Sequence, residues 1–257
     1  MNRFMTATAC AAMIGVGLFS APAAAQSLSF FGDIGGAPVF VSLERAGDKL
    51  TGWYLYLQQA KQIRLAGAID ASGFTMDESS FENGKKTGSF KGLPGEAAWS
   101  GMWRSPDGRQ LKLTLRRARD ALSDLSGRFR CKARASESGY SFVSSLDFSA
   151  AKGRVTQLSL SHEATSEHDE QSCSVALSDL TQIPTDSGIL LRAKDDDGTD
   201  TNEGAQHCTL HVRGDSGALI IEVAGCMSAG GAMLCSARGS WSDLVLNRKT
   251  QTCKAIE

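Results

Sequence analysis

His207 and Ser216 are the residue types that an acyl-transfer site uses as base and nucleophile. Only nine residues separate them, with Arg213-Gly214-Asp215-Ser216-Gly217 reading as a hairpin turn, so they belong to neighbouring arms of one hairpin. Metal ligation fares no better. His162-Glu163 is followed by His168-Asp169-Glu170, but a zinc-binding helix needs its second histidine four residues after the first, where Ser166 stands. His207 and His211 are four apart, which in a strand separates them by about 13 Å. Asp195-Asp196-Asp197-Gly198-Thr199-Asp200 is acidic enough for a weak calcium loop. Aligning Gly198 with the glycine of an EF-hand loop, however, puts Ala193 and Gly204 at the outer ligand positions. No cofactor and no transition metal is expected.

Binding residues stand out better than catalytic ones. Arg128, Arg130, Lys132 and Arg134 alternate with Phe129, Cys131 and Ala133, which places four cations on one face of a strand. From Arg109 to Arg134 there are nine basic residues and two acidic ones; from Glu163 to Glu203 there are eleven acidic and two basic. The formal charge of −1 therefore conceals two opposed segments, and nucleic-acid binding driven by bulk charge is not expected. The basic strand face is expected to grip an anionic envelope polymer or an acidic envelope protein. The plainer alternative is that the two segments screen each other or are solvated. Tyr54 and Tyr56 are a second candidate. If Trp53, Leu55 and Leu57 form the core face of their strand, the two tyrosines are displayed outside or in a barrel mouth, where paired aromatics bind sugar or peptide.

The elements that must carry these residues are strands. Val39/Val41/Leu43, Ile63/Leu65/Ile69, Trp99/Trp103 and Leu111/Leu113/Leu115 alternate with polar residues. Turn signals such as Ala46-Gly47-Asp48, Asn83-Gly84, Pro94-Gly95 and Pro106-Asp107-Gly108 separate the runs. Gly52, Gly67, Gly88 and Gly101 fall inside the runs, where they allow sharp bends. The pattern predicts an all-β protein of two antiparallel meander modules, each a small barrel or sandwich, over residues 26–124 and 125–257. Leu115, Ala118, Leu122 and Leu125 have helical spacing, so residues 116–125 are the expected linker.

Residues 1–25 have the layout of a secretory signal peptide: Arg3, an apolar run from Phe4 to Phe19, and Ala23-Ala24-Ala25 before Gln26. The expected location is periplasmic or secreted, with no transmembrane segment. Removing residues 1–25 takes away Cys10 and leaves Cys131, Cys173, Cys208, Cys226, Cys235 and Cys253, all in the second module. An even number in an exported chain, without any C-x-x-C, favours disulfides that stabilise that module. Cys226–Cys235 is the expected local staple, and the other pairings stay open.

Leu50-x-Gly52-x-Tyr54-x-Tyr56, Ile63-x-Leu65-x-Gly67-x-Ile69, Thr87-Gly88-x-Phe90-x-Gly92 and Gly101-x-Trp103 together resemble a β-rich module of exported bacterial proteins of unknown function, over residues 33–115. That resemblance implies a fold and no chemistry. Ser138-Gly139-Tyr140 is loosely similar to the Ser-Gly-containing loop, with a nearby Tyr, that periplasmic lysozyme inhibitors present to the lysozyme cleft, although its spacing is shorter. The functional expectation is thus a non-catalytic envelope binding or inhibitory protein. Its rivals are a hydrolase assembled from scattered groups such as Asp77, Glu78 and His162, and an envelope scaffold or assembly factor.

Overall fold

The computed structural model describes residues 25–118, 125–137, 139–168, 170–177, 180–185, 187–193, 209–224 and 243–257. Eight strands come first: β1 (Gln26–Ile34), β2 (Ala37–Ala46), β3 (Lys49–Tyr56), β4 (Gln62–Asp70), β5 (Gly73–Ser80), β6 (Lys86–Leu93), β7 (Ala98–Arg104) and β8 (Gln110–Arg117). Each pairs antiparallel with the next. β1 then pairs with β8 from Phe30↔Arg117 to Ile34↔Leu113, and the sheet closes into a barrel. Closure removes the open edges that a meander would otherwise expose.

An eight-stranded barrel is only wide enough for side chains, and here aromatic rings fill it. Phe30 and Phe74 both pack on Trp99, with ring centroids 4.8 and 4.9 Å away, among Val39, Leu50, Leu65 and Leu113. Gly52 shows why the strand patterns contain glycine. It faces inward at φ +156°, and a Cβ there would lie 2.1 Å from the carbonyl oxygen of Ser42 on β2. Only a bare backbone lets β3 curl that closely against its neighbour.

The second part of the chain builds two more antiparallel sheets. β9 (Gly127–Glu137), β10 (Tyr140–Ala151), β11 (Arg154–Thr165) and β12 (Glu170–Leu177) form one, in the order β12-β11-β10-β9. β13 (Leu180–Thr185), β14 (Gly188–Ala193), β15 (Thr209–Gly214), β16 (Ala218–Ala224), β17 (Leu244–Asn247) and β18 (Thr252–Ala255) form the other in chain order. Phe129, Phe148 and Leu160 of the first sheet share a core with Leu210, Leu219 and Leu246 of the second, so the pair is a sandwich. A disulfide between Cys131 on β9 and Cys253 on β18 ties its two sheets together.

Three readings of the sequence need amendment. Arg116 and Arg117 are the end of β8 rather than the start of a helix, because their strand must reach β1 to close the barrel; residues 119–124 lie outside the described residues. β18 is a further strand that its four residues gave too little pattern to reveal. The faces of β3 are also exchanged. Tyr54 points into the barrel, 1% exposed, whereas Leu55 points outward and is equally buried. Phe31, Phe40, Leu55 and Ala60 of the barrel form a third cluster with Ala218, Ile220 and Val245 of the six-stranded sheet, and Trp53 and Leu57 pack against it. Both faces of β3 are apolar because one fills the barrel and the other is covered by the second module. Alternation alone does not say which is which.

Candidate functional site

β9 lies at one edge of the four-stranded sheet, and its register lays the cations out in rows across the exposed face. Lys132 stands opposite Ser145, which stands opposite Ser161; Arg130 stands opposite Asp147, which stands opposite Ser159; Arg134 is followed by Val143 and Glu163. Neighbouring rows on one face are about 7 Å apart. The alternation that puts Phe129, Cys131 and Ala133 into the core sends Arg128, Arg130, Lys132 and Arg134 to solvent, and all four are exposed. An open groove of about 370 Å³ runs over this face, lined by Arg130, Lys132, Ser145, Asp147, Ser159 and Ser161.

The charges are unevenly matched. Asp147 accepts two hydrogen bonds from Arg128, from Nε at 2.8 Å and Nη2 at 2.6 Å, and a third from Nε of Arg130 at 3.0 Å. The Arg128 guanidinium holds the Asp147 carboxyl below its ordinary value, with Arg130 adding to the effect. Asp147 thereby fixes two arginines flat on the sheet. Among the described residues, no carboxylate lies within ion-pair distance of Lys132 or Arg134. Of the acidic segment, Glu163 shares the Arg134 row two strands away, beyond ion-pair distance. Glu170 is on β12, at the opposite edge of the sheet, and residues 194–208 lie outside the described residues. The result is a serine-lined shelf with two pinned arginines and two cations open to a ligand.

Inside the barrel is a different kind of polar site. Glu78 is buried, and its Oε2 accepts hydrogen bonds from the Tyr54 hydroxyl and from Trp103 Nε1, each at 2.7 Å. Gly88 makes room for it: a Cβ there would stand 2.5 Å from Trp103 Nε1 and 3.2 Å from Glu78 Oε1. Burial, with the Glu78 charge adding to it, raises the Tyr54 hydroxyl far above its ordinary value, and burial raises Tyr56 as well. Tyr54 therefore stays a donor at any working pH, and the trio plugs the barrel. It is too enclosed to meet a substrate.

Between the modules, Arg213 makes a buried polar contact. Its Nη1 donates to Ser29 Oγ at 3.1 Å and to Ser42 Oγ at 3.0 Å, both on the barrel. Its Nη2 lies 2.7 Å from Glu222 Oε2, and its guanidinium sits over the Phe40 ring. Nε donates to His211 Nδ1 at 3.1 Å, which assigns the ring proton to Nε2, facing Thr185 Oγ1. Beside this joint, a cleft of about 540 Å³ has Pro38, Leu57, Ala218 and Val245 among its lining, with Lys249 and Lys254 also on its wall.

The sequence candidates are thus only partly gathered. The four basic residues of β9 share one face. Tyr54 and Tyr56 are neighbours, 5.6 Å between ring centroids, and both point into the barrel, Tyr54 buried and Tyr56 half-buried. Asp77, Glu78 and His162 do not converge. Asp77 is on the outside of the barrel with Lys86 at 2.6 Å, Glu78 is inside, and His162 is buried in the sandwich with Ser144 Oγ 2.9 Å from its Nδ1. Cys131 pairs with Cys253. Cys173 is on β12, while Cys208, Cys226 and Cys235, with the expected Cys226–Cys235 staple, lie outside the described residues, as do His207, Ser138 and Asp195–Asp200. Gly139, at φ +83°, occupies the turn between β9 and β10. The serines of β10 and β11 and the role of Asp147 were missed. Their signal was present, as Ser141, Ser145, Asp147 and Ser149 on one face of the strand and as Ser159 and Ser161 on the next. No family model, curated protein or solved structure matches the chain.

Proposed function

We propose that this chain is an exported, non-catalytic binding protein of the cell envelope that holds an anionic polymer along the β9–β11 face. The observation that carries the reading is the shelf itself: Lys132 and Arg134 are exposed and without a carboxylate partner among the described residues, Lys132 shares its row with the hydroxyls of Ser145 and Ser161, and Ser159 stands in the next row with Arg130. Cations spaced along a strand suit a ligand with repeated negative charges, and hydroxyls add hydrogen bonds that donate to phosphate or carboxylate oxygens. Asp147 supports the arrangement by holding Arg128 and Arg130 in place before a ligand arrives, which lowers the ordering cost of binding. The layout of residues 1–25 supports an exported location.

The test is titration of the whole chain with long-chain polyphosphate and with polygalacturonate, at low and at high salt. Binding to at least one polymer, weakening steeply with salt and falling at least tenfold in the double variant Lys132→Glu/Arg134→Glu, is the expected result. Absence of binding at low salt, or equal affinity in the variant, rejects the proposal.

A further inference from the structure

The barrel has a second basic surface, on β6–β8, different in character from the β9 face. Residues that point outward from β6, β7 and β8 include Lys91, Leu93, Met102, Arg104, Lys112 and Arg116. Register places Lys91 opposite Met102 and Met102 opposite Lys112, so one methionine is flanked on both sides by lysines. Leu93 and Met102 are 63% and 41% exposed, among the most exposed large apolar side chains described. All four cations are exposed, and among the described residues none has a carboxylate within ion-pair distance. No acidic residue occupies an outward position of these strands; Glu96 is in the turn after β6. Among the described residues, the second module packs on the barrel through Phe31, Phe40 and Leu55 of β1–β3, and no residue of β6–β8 belongs to that cluster.

We infer that this outer face of β6–β8 rests on an anionic lipid surface, with Leu93 and Met102 entering the boundary between headgroups and acyl chains and the four cations meeting lipid phosphates. A soluble polyanion would satisfy the lysines and arginines, yet it would give nothing for burying a leucine and a methionine among them. A headgroup layer rewards both. The face is also the convex outside of a barrel, which cannot enclose a small molecule but can touch a broad surface tangentially. Long basic side chains around an apolar centre are suited to this, because their stems lie on the apolar residues while their charges reach outward. Each cation near an anionic bilayer contributes about fivefold in partitioning.

Co-sedimentation of the whole chain with vesicles of phosphatidylglycerol and phosphatidylethanolamine, against vesicles of phosphatidylcholine alone, tests the inference. Two variants go beside it, Arg104→Glu/Lys112→Glu and Leu93→Ser/Met102→Ser, each checked for an unchanged melting temperature. Arg104→Gln/Lys112→Gln repeats the charge test should the reversed pair melt early. The expected result is binding to the anionic vesicles only, reduced at least tenfold by either variant and unchanged by Lys132→Glu/Arg134→Glu. Failure to bind, equal binding to phosphatidylcholine, or a loss confined to the Lys132/Arg134 variant would overturn it. So would a face that binds polyphosphate but no vesicle.

Discussion

Arg213 Nη1 lies 3.1 Å from Ser29 Oγ, bridging two residues 184 positions apart and joining the six-stranded sheet to the barrel. The guanidinium is almost fully buried, and Glu222 is its charge partner. Burial alone pulls the Arg213 pKa down, and the carboxylates around it oppose that. Removing one member of such a pair strands the other in a dry site. Arg213→Met is expected to destabilise the chain by about 3 kcal/mol, read from urea denaturation. Arg213→Lys should recover only part of this, because a lysine cannot reach Ser29, Ser42 and Glu222 together.

Asp243 makes the stability of that joint depend on pH. Burial pushes its carboxyl up to about 6, with Glu222 adding to the rise; the Val223 N–H that donates to it and the nearby Arg213 act against it. The folded state therefore favours the protonated acid. This contribution is full below the ordinary carboxylate range and is lost as pH rises through about 6. Asp243→Asn keeps an acceptor for Val223 and removes the charge. Its unfolding free energy should match the parent's near pH 4 and exceed it by on the order of 2 kcal/mol near pH 8. His162 acts in the opposite sense, since burial lowers it and its contribution is lost as pH falls. The slope that remains in the Asp243→Asn variant belongs partly to His162.

The Cys131–Cys253 disulfide closes a loop of 122 residues and links the two sheets of the sandwich. Its loss also loosens the barrel joint, because the strand that carries Cys253 continues to Glu257, whose N–H donates to the Ala60 carbonyl on the barrel. Reduction, or Cys131→Ala/Cys253→Ala, is expected to lower stability by about 3–4 kcal/mol in chemical denaturation.

The barrel plug gives a separate test. Glu78→Leu leaves the Tyr54 hydroxyl and the Trp103 N–H buried without an acceptor and should destabilise the chain by roughly 2–4 kcal/mol. Glu78→Gln retains an acceptor oxygen and should cost less. Gly88→Ala drives a methyl against Trp103 Nε1, and tryptophan fluorescence should report its displacement.

The barrel strands were readable because turn residues punctuate them and because Val39/Val41, Leu65/Ile69 and Leu113/Leu115 repeat with period two. The basic face of β9 was readable for the same reason, with Phe129 and Cys131 marking the side that had to be inward. Local alternation says nothing of what covers a strand from outside, so the roles of Tyr54 and Leu55 were open until the second module was seen against β3. The contacts of Arg213 with Ser29 and Ser42, and of Glu78 with Tyr54 and Trp103, are long-range choices among many polar residues. No spacing encodes them.

Amide hydrogen exchange of the whole chain, with and without long-chain polyphosphate, tests the binding account most directly. The account predicts slowed exchange along β9 to β11, over residues 128–134, 143–147 and 159–161. Unchanged exchange on β9–β11, or protection confined to the barrel, would contradict it.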